Sequence, residues 1–190
     1  MTAETHPLDD LSVLDQFAAV PFPPDQPVDR RTFYAPVDDV HGALVYVIES
    51  AQRSIVVAMY GFDDDELAAA ILSKLRDAGV YVQLTLDSSQ AGGVHERTLL
   101  TEYPFPASTV AVGRSERGAI MHLKTVVIDG TIVVRGSTNW SAGGETLQDN
   151  ELTVEASASS AAVATARIGA IHANMINRAA PPITPADDLP

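Results

Sequence analysis

The sequence predicts an α/β fold, a mixed β-sheet flanked by helices on both faces in a single domain. Three observations carry this. Short runs of β-branched and apolar residues at 54–59, 80–86 and 120–128 read as strands, and amphipathic helical patterns separate the first two. Asp129-Gly130 is a strong signal for a two-residue hairpin, because a type I′ turn needs positive φ at both central positions. A chain of 190 residues with 46% apolar composition is long enough for one sizeable core.

The elements follow in order. Residues 1–30 are acidic and rich in proline, with Pro21, Pro23, Pro24 and Pro27 close together, and read as an extended or mobile arm. Phe33 and Tyr34 begin a strand. Asp38 or Asp39 caps a helix running to about residue 52, with Val40, Leu44, Val47, Ile48 and Ala51 on one face. After the strand at 54–59, Asp63 starts a second helix, striped by Leu67, Ile71 and Leu75 and stopped by Gly79. The strand at 80–86 completes a β-α-β unit, so these two strands are expected to be parallel. Residues 88–93 form a polar loop, with Gly92-Gly93 as a turn; 94–102 form a short helix and 109–112 a strand. Beyond the hairpin come a loop at 141–149, a strand near 151–155, a long helix over 158–178 with Ala164, Ile168, Ile171 and Met175 inward, and a flexible proline-rich tail over 179–190. The folded domain is therefore expected over 31–178.

Bulk properties exclude several functions. With no cysteine, neither a disulfide nor a thiolate metal site can form. No apolar run has transmembrane length. The first residues lack a basic start and an apolar stretch, so no signal peptide is visible and cytoplasmic residence is expected. A net charge of −13 opposes broad attraction to DNA or to anionic lipid, so a polyanion must be met by a local patch. Lys74 and Lys124 are the lysines of the chain; its other basic residues are arginines.

The chemistry concentrates between His122 and Asn139. Folding the hairpin with a two-residue loop sets Ile128 opposite Thr131, Lys124 opposite Arg135 and His122 opposite Ser137. Directly opposed residues share a face, with Cβ atoms about 5 Å apart. Unless a bulge shifts the register, His122, Lys124, Ser137 and Asn139 then converge, and Gly136 leaves room for close approach. An imidazole, an ammonium, a hydroxyl and a carboxamide around one point describe a site for a phosphate oxyanion. Asp129 falls in the turn, away from this face, and reads as the residue that holds the hairpin. Arg114, Arg117 and Arg135 lie near in sequence and supply a candidate basic patch for substrate, Arg135 on the face of Lys124. Asp63-Asp64-Asp65-Glu66 reads as a helix cap and first turn. His41, His95 and His172 show no ligand spacing, so neither a metal nor a cofactor is expected. Tyr60 and Trp140 are candidates for stacking on bases, though packing is the simpler reading.

The run His122-x-Lys124-x4-Asp129-x6-Gly136-Ser137-x-Asn139 resembles the signature of the phospholipase D superfamily at each fixed position. The resemblance implies that His122 is the nucleophile of a covalent phosphohistidine mechanism, that Lys124, Ser137 and Asn139 hold phosphate oxygens, and that Asp129 belongs to the motif. It also implies an acid after the Gly-Ser-x-Asn segment that orients the histidine; Glu151 is the candidate and Glu145 a weaker rival. The motif occurs once, which resembles the small single-motif branch whose members pair as homodimers with abutting sites. The expectation is a metal-independent phosphodiesterase, foremost an endonuclease on DNA or RNA. A phospholipid hydrolase or phosphatidyltransferase, which would want an exposed apolar lip not evident in the sequence, and a non-catalytic binding module are the alternatives. No stable membrane association is expected.

Overall fold

The computed structural model describes residues 6–91 and 94–179. The Gly92-Gly93 turn and nearly all of the expected tail lie outside the described residues, as does the His95 side chain. Seven strands form one sheet: β1 (Arg30–Ala35), β2 (Ser54–Met59), β3 (Tyr81–Asp87), β4 (Val110–Gly113), β5 (Lys124–Ile128), β6 (Ile132–Gly136) and β7 (Asn150–Ala156). Their order is β1-β7-β6-β5-β2-β3-β4. The pairs β2/β3 and β3/β4 are parallel and the remaining pairs antiparallel, so the sheet is mixed.

One face carries α1 (Val40–Glu49) and α2 (Asp65–Asp77) over the larger core, which includes Ile55, Val57, Val126, Ile128, Ile132 and Val134. The other face carries α6 (Ala158–Ala179), whose Ile168, Ile171 and Met175 pack on Val56, Val127 and Val133. The period of two along β5 and β6 therefore feeds two different cores. Caps follow the sequence closely. Asp39 accepts from the amide of Gly42 and Asp64 from that of Leu67, while Gly79, at φ 66°, releases the chain from α2.

Three expectations change. Residues 88–91 are a helical turn, α3 (Ser88–Ala91), ahead of α4 (Val94–Glu102), rather than a loop. The 141–149 loop contains α5 (Ala142–Thr146), capped by Ser141, whose hydroxyl accepts from the amide of Gly144 at 3.1 Å. The arm is the larger correction. From residue 6 onward it lies on the domain, with a 3-10 helix at Leu11–Phe17 and with Leu8, Leu11 and Leu14 fully buried in the larger core. Burying three leucines contributes about 1.5–3 kcal/mol each toward the entropic cost of ordering this segment. Arg31, itself buried, anchors the segment through Asp15 at 2.5 Å.

Candidate active site

The hairpin turn has the expected backbone, with Asp129 at φ 53° and Gly130 at φ 71°. The register differs by one residue. Ile128 pairs with Ile132 and Thr125 with Arg135, leaving Thr131 as an extra residue on the returning strand. Its carbonyl accepts from the Ser157 amide at 2.8 Å, so the bulge is held by the start of α6. The slip separates side chains that the sequence placed together. Lys124 shares the face of Val126 and Ile128 and is buried, whereas Arg135 stands on the α6 face with Thr125 and bonds Glu155.

Beyond the end of β5 the chain keeps contact with β2, through the Tyr60 amide and the Leu123 carbonyl at 2.9 Å. This sets His122 and Lys124 against one ring. The Tyr60 and His122 rings meet edge to face, with centroids 4.5 Å apart. The Lys124 ammonium lies 4.8 Å from the centroid of the same ring and donates to the His122 carbonyl at 3.3 Å. Burial holds the Lys124 pKa below that of a free lysine. The His122 ring is exposed.

His122 and Lys124 open into a cleft of about 350 Å³, whose wall also includes Arg30, Arg135, Gly136, Glu151 and Thr153. Arg30 carries no signal in the sequence, because it reaches the site only through the pairing of β1 with β7. Glu151 is exposed at the start of β7 and accepts from the Thr153 hydroxyl at 3.2 Å; it is not hydrogen-bonded to His122. Glu145, the rival acid, is buried elsewhere, bonded to His41.

Ser137 and Asn139 do not line this cleft. The Ser137 hydroxyl donates to Asn150 at 2.8 Å and accepts from the Glu151 amide at 3.0 Å, and the Ser137 amide donates to the Glu151 carbonyl at 3.0 Å. It therefore positions Glu151. Gly136 is required for the same reason: a Cβ there would lie 2.0 Å from the Glu151 carbonyl oxygen. Asn139 packs on Gly61, and its Oδ1 is buried without a partner. Trp140 is buried edge to face against Phe62, so it packs and cannot stack on a base. Arg114 lines a separate hollow with Gly113, Met175 and Arg178, and Arg117 is exposed on the loop before β5.

Asp129 lies five residues beyond Lys124, about 16 Å along the strand. Its Oδ1 accepts from the amides of Arg53 and Ser54, each at 2.7 Å, and its Oδ2 from the amide of Gln52 at 2.8 Å and from His6 Nε2 at 2.9 Å. His6 Nδ1 accepts from the Leu8 amide, which places the ring proton on Nε2. Burial alone would raise the Asp129 pKa, but these donors reverse that and hold it below the usual carboxylate value. Each oxygen is engaged in structure, as for a residue that fixes the hairpin.

Residues 44–168 match the family described as "Cardiolipin synthase, PLD-like domain". The chain belongs to this phospholipase D-like family. It is 31% identical over 104 residues to a mitochondrial cardiolipin hydrolase of Xenopus tropicalis, covering 55% of this chain and 47% of that protein. With the protein of the same name in Chlamydomonas reinhardtii it is 29% identical over 105 residues, 55% of this chain and 45% of the other. The chain thus spans about half the length of the curated relatives it matches. Among solved structures, the phospholipase D family member Nuc from Salmonella typhimurium superposes with a TM-score of 0.66 at 19% identity, over 77% of this chain and 94% of that one. NucT from Helicobacter pylori gives 0.66 at 24%, over 75% and 94%. These likenesses bear on the fold, a PLD-like sheet with helices. Among the described residues, no helix is long and apolar enough to cross a membrane.

Proposed function

We propose that this phospholipase D-like protein is a metal-independent phosphodiesterase, foremost an endonuclease on DNA or RNA, that works through a phosphohistidine at His122 in a homodimeric site. The observation that carries this reading is the common seat of His122 and Lys124 on the Tyr60 ring. It leaves the imidazole free to meet a substrate while the ammonium beside it is fixed and partly desolvated.

The reaction proceeds in two displacements. A ring nitrogen of His122 attacks phosphorus, the P–O bond to the leaving nucleoside oxygen breaks, and that oxygen takes a proton from a general acid. Lys124 offsets the charge on the non-bridging oxygens. Water then gives a proton to the same group, now acting as base, and attacks phosphorus; the P–N bond breaks and His122 is restored. Glu151, seated by Ser137 on the same cleft wall, is the carboxylate that would orient the ring once substrate is bound. Arg30 and Arg135 on the cleft wall supply the local cationic surface that a chain of net charge −13 needs for a polyanion.

Among the described residues, His122 is the only histidine lining the cleft and Glu151 is assigned to orient it, so this reading takes the acid from a second copy. An apolar groove of about 460 Å³ adjoins the cleft between α6 and the sheet, sharing Leu123, Thr125 and Arg135 with it; the exposed Val163 and the buried Ile168 also line it. This is the surface on which the partner subunit packs, with the partner subunit's His122 serving as acid. The same groove favours a second reading. It supplies the apolar lip that a lipid enzyme wants, and the curated relatives are named cardiolipin hydrolases.

One assay separates these readings. Wild type and His122→Ala are incubated with chelator against single- and double-stranded DNA, RNA and cardiolipin vesicles. Nucleic-acid cleavage that survives chelation and vanishes in the variant is expected. Turnover of lipid alone selects the second reading, and no turnover of any substrate leaves a binding module.

A further inference from the structure

We propose that His41, Asp64 and Glu145 form a site for a divalent transition-metal ion, at the junction of α1, α2 and α5 and distinct from the His122 cleft. Their donor atoms lie within 4.8 Å of one another. His41 Nδ1 stands 2.6 Å from Glu145 Oε2 and 3.2 Å from Asp64 Oδ2. One imidazole nitrogen thus faces two carboxylates, and among the described residues no lysine or arginine pairs with either acid. A protonated His41 balances only one of the two charges. Two carboxylates this close to one another must be met by protons or by a cation, and a divalent cation would neutralise both.

A second observation points to a ligand. The Glu145 side chain is fully buried, and its other oxygen, Oε1, has no hydrogen-bond partner. Buried polar atoms are almost always satisfied, and a carboxylate oxygen is a strong Lewis base.

The surroundings are those of an oriented ligand set. His41 Nε2, the outer nitrogen, lies 3.0 Å from Glu66 Oε2, the carboxylate–histidine arrangement that turns a ring toward a metal. Asp64 Oδ1 accepts from the Leu67 amide at 2.7 Å, which leaves Oδ2 directed at His41. One imidazole and two carboxylates suit zinc, manganese or ferrous iron better than calcium or magnesium, and leave room for water in the remaining positions. No spacing in the sequence announces this set, because His41 lies in α1, Asp64 caps α2 and Glu145 lies in α5.

The ion would be structural. Glu145 follows Gly144, whose missing side chain lets α5 pack against the Asn139 carbonyl; a Cβ there would lie 2.6 Å from it. The Asp63 amide donates to the Trp140 carbonyl, and the Trp140 amide to the Gly61 carbonyl. The metal would therefore clamp the segment that follows the Gly-Ser-x-Asn run onto α1 and α2.

The test uses the full chain, stripped by chelator and dialysed. Titration with Zn²⁺, Mn²⁺ and Mg²⁺ is read by calorimetry and thermal unfolding, and Co²⁺ by its visible absorption. Expected are one Zn²⁺ or Co²⁺ per chain, a rise in Tm on loading, and little response to Mg²⁺. Glu145→Gln, which keeps the shape, should lose binding, and Glu66→Gln, exposed and well tolerated, should weaken it by about 10–100-fold. His122→Ala should bind metal like wild type, so failure of the nuclease reading leaves this result untouched. Absence of one-to-one binding and of any Tm shift, or binding unchanged in both Glu145→Gln and Glu66→Gln, overturns the proposal.

Discussion

Thr125, not Lys124, stands opposite Arg135. The side chains of Lys124 and Arg135 therefore leave the sheet on opposite faces although both residues line the one cleft, and mutation should separate their roles. Lys124→Ala should lower kcat by about 10²–10³-fold, the loss typical of one transition-state charge partner. Arg135→Ala should leave kcat nearly unchanged and raise KM several-fold. Steady-state kinetics on a short oligonucleotide checks both. Lys124→Arg should rescue only in part, because a planar, delocalised guanidinium does not present the point charge that the ammonium holds between the Tyr60 ring and the His122 carbonyl.

Asp129 should behave as a structural residue. Asp129→Asn keeps an acceptor and tolerates the positive φ, yet loses the charge that receives three amides and His6. A stability loss of about 2–4 kcal/mol is expected at pH 7, read by urea unfolding. The folded pKa is depressed, so its contribution is present above the unfolded value near 3.8 and fades as pH falls through the folded value. The gap between wild type and Asp129→Asn should therefore close on acidification toward pH 2, while kcat of the folded variant at pH 7 stays within a few-fold.

The N-terminal segment should prove part of the core. Leu11→Ala should cost about 2–5 kcal/mol, as for a fully buried leucine. His6→Ala removes one charge-assisted bond to Asp129 and should cost about 1–2 kcal/mol. Chemical denaturation reads both. Hydrogen exchange gives a check that needs no mutation: the Leu11 amide, bonded to the Val28 carbonyl, should be protected.

Gly136→Ala should fail to fold or should lose β7 pairing, because its Cβ would strike the Glu151 carbonyl. Circular dichroism and thermal melting test this. Gly130→Ala, strained by positive φ but facing open space, should cost only about 1 kcal/mol and keep the fold.

These residues also show what the sequence could and could not disclose. The β5–β6 hairpin was readable because Asp129-Gly130 suits a turn with positive φ and is flanked by β-branched runs. Its register was not, because the bulge at Thr131 depends on Ser157, far along the chain. The motif drew attention to His122 and Lys124 together, yet the ring that seats them, Tyr60, lies on the chain after β2, and Arg30 arrives through the sheet edge. Proline density obscured the leucines at 8, 11 and 14, whose helical spacing was the available signal for burial. Gly143-Gly144 obscured α5, where the absence of a side chain at Gly144 serves close packing rather than a loop.

The most direct test of the central claim is to quench a reaction with labelled oligonucleotide in alkali and map the protein by mass spectrometry. The account expects a nucleotidyl adduct on His122, its phosphorus still bonded to the uncleaved side of the oligonucleotide, stable to base, labile to acid and absent from His122→Ala. Rapid cleavage with no adduct at His122 under single-turnover conditions, or with His122→Ala as active as wild type, would contradict it.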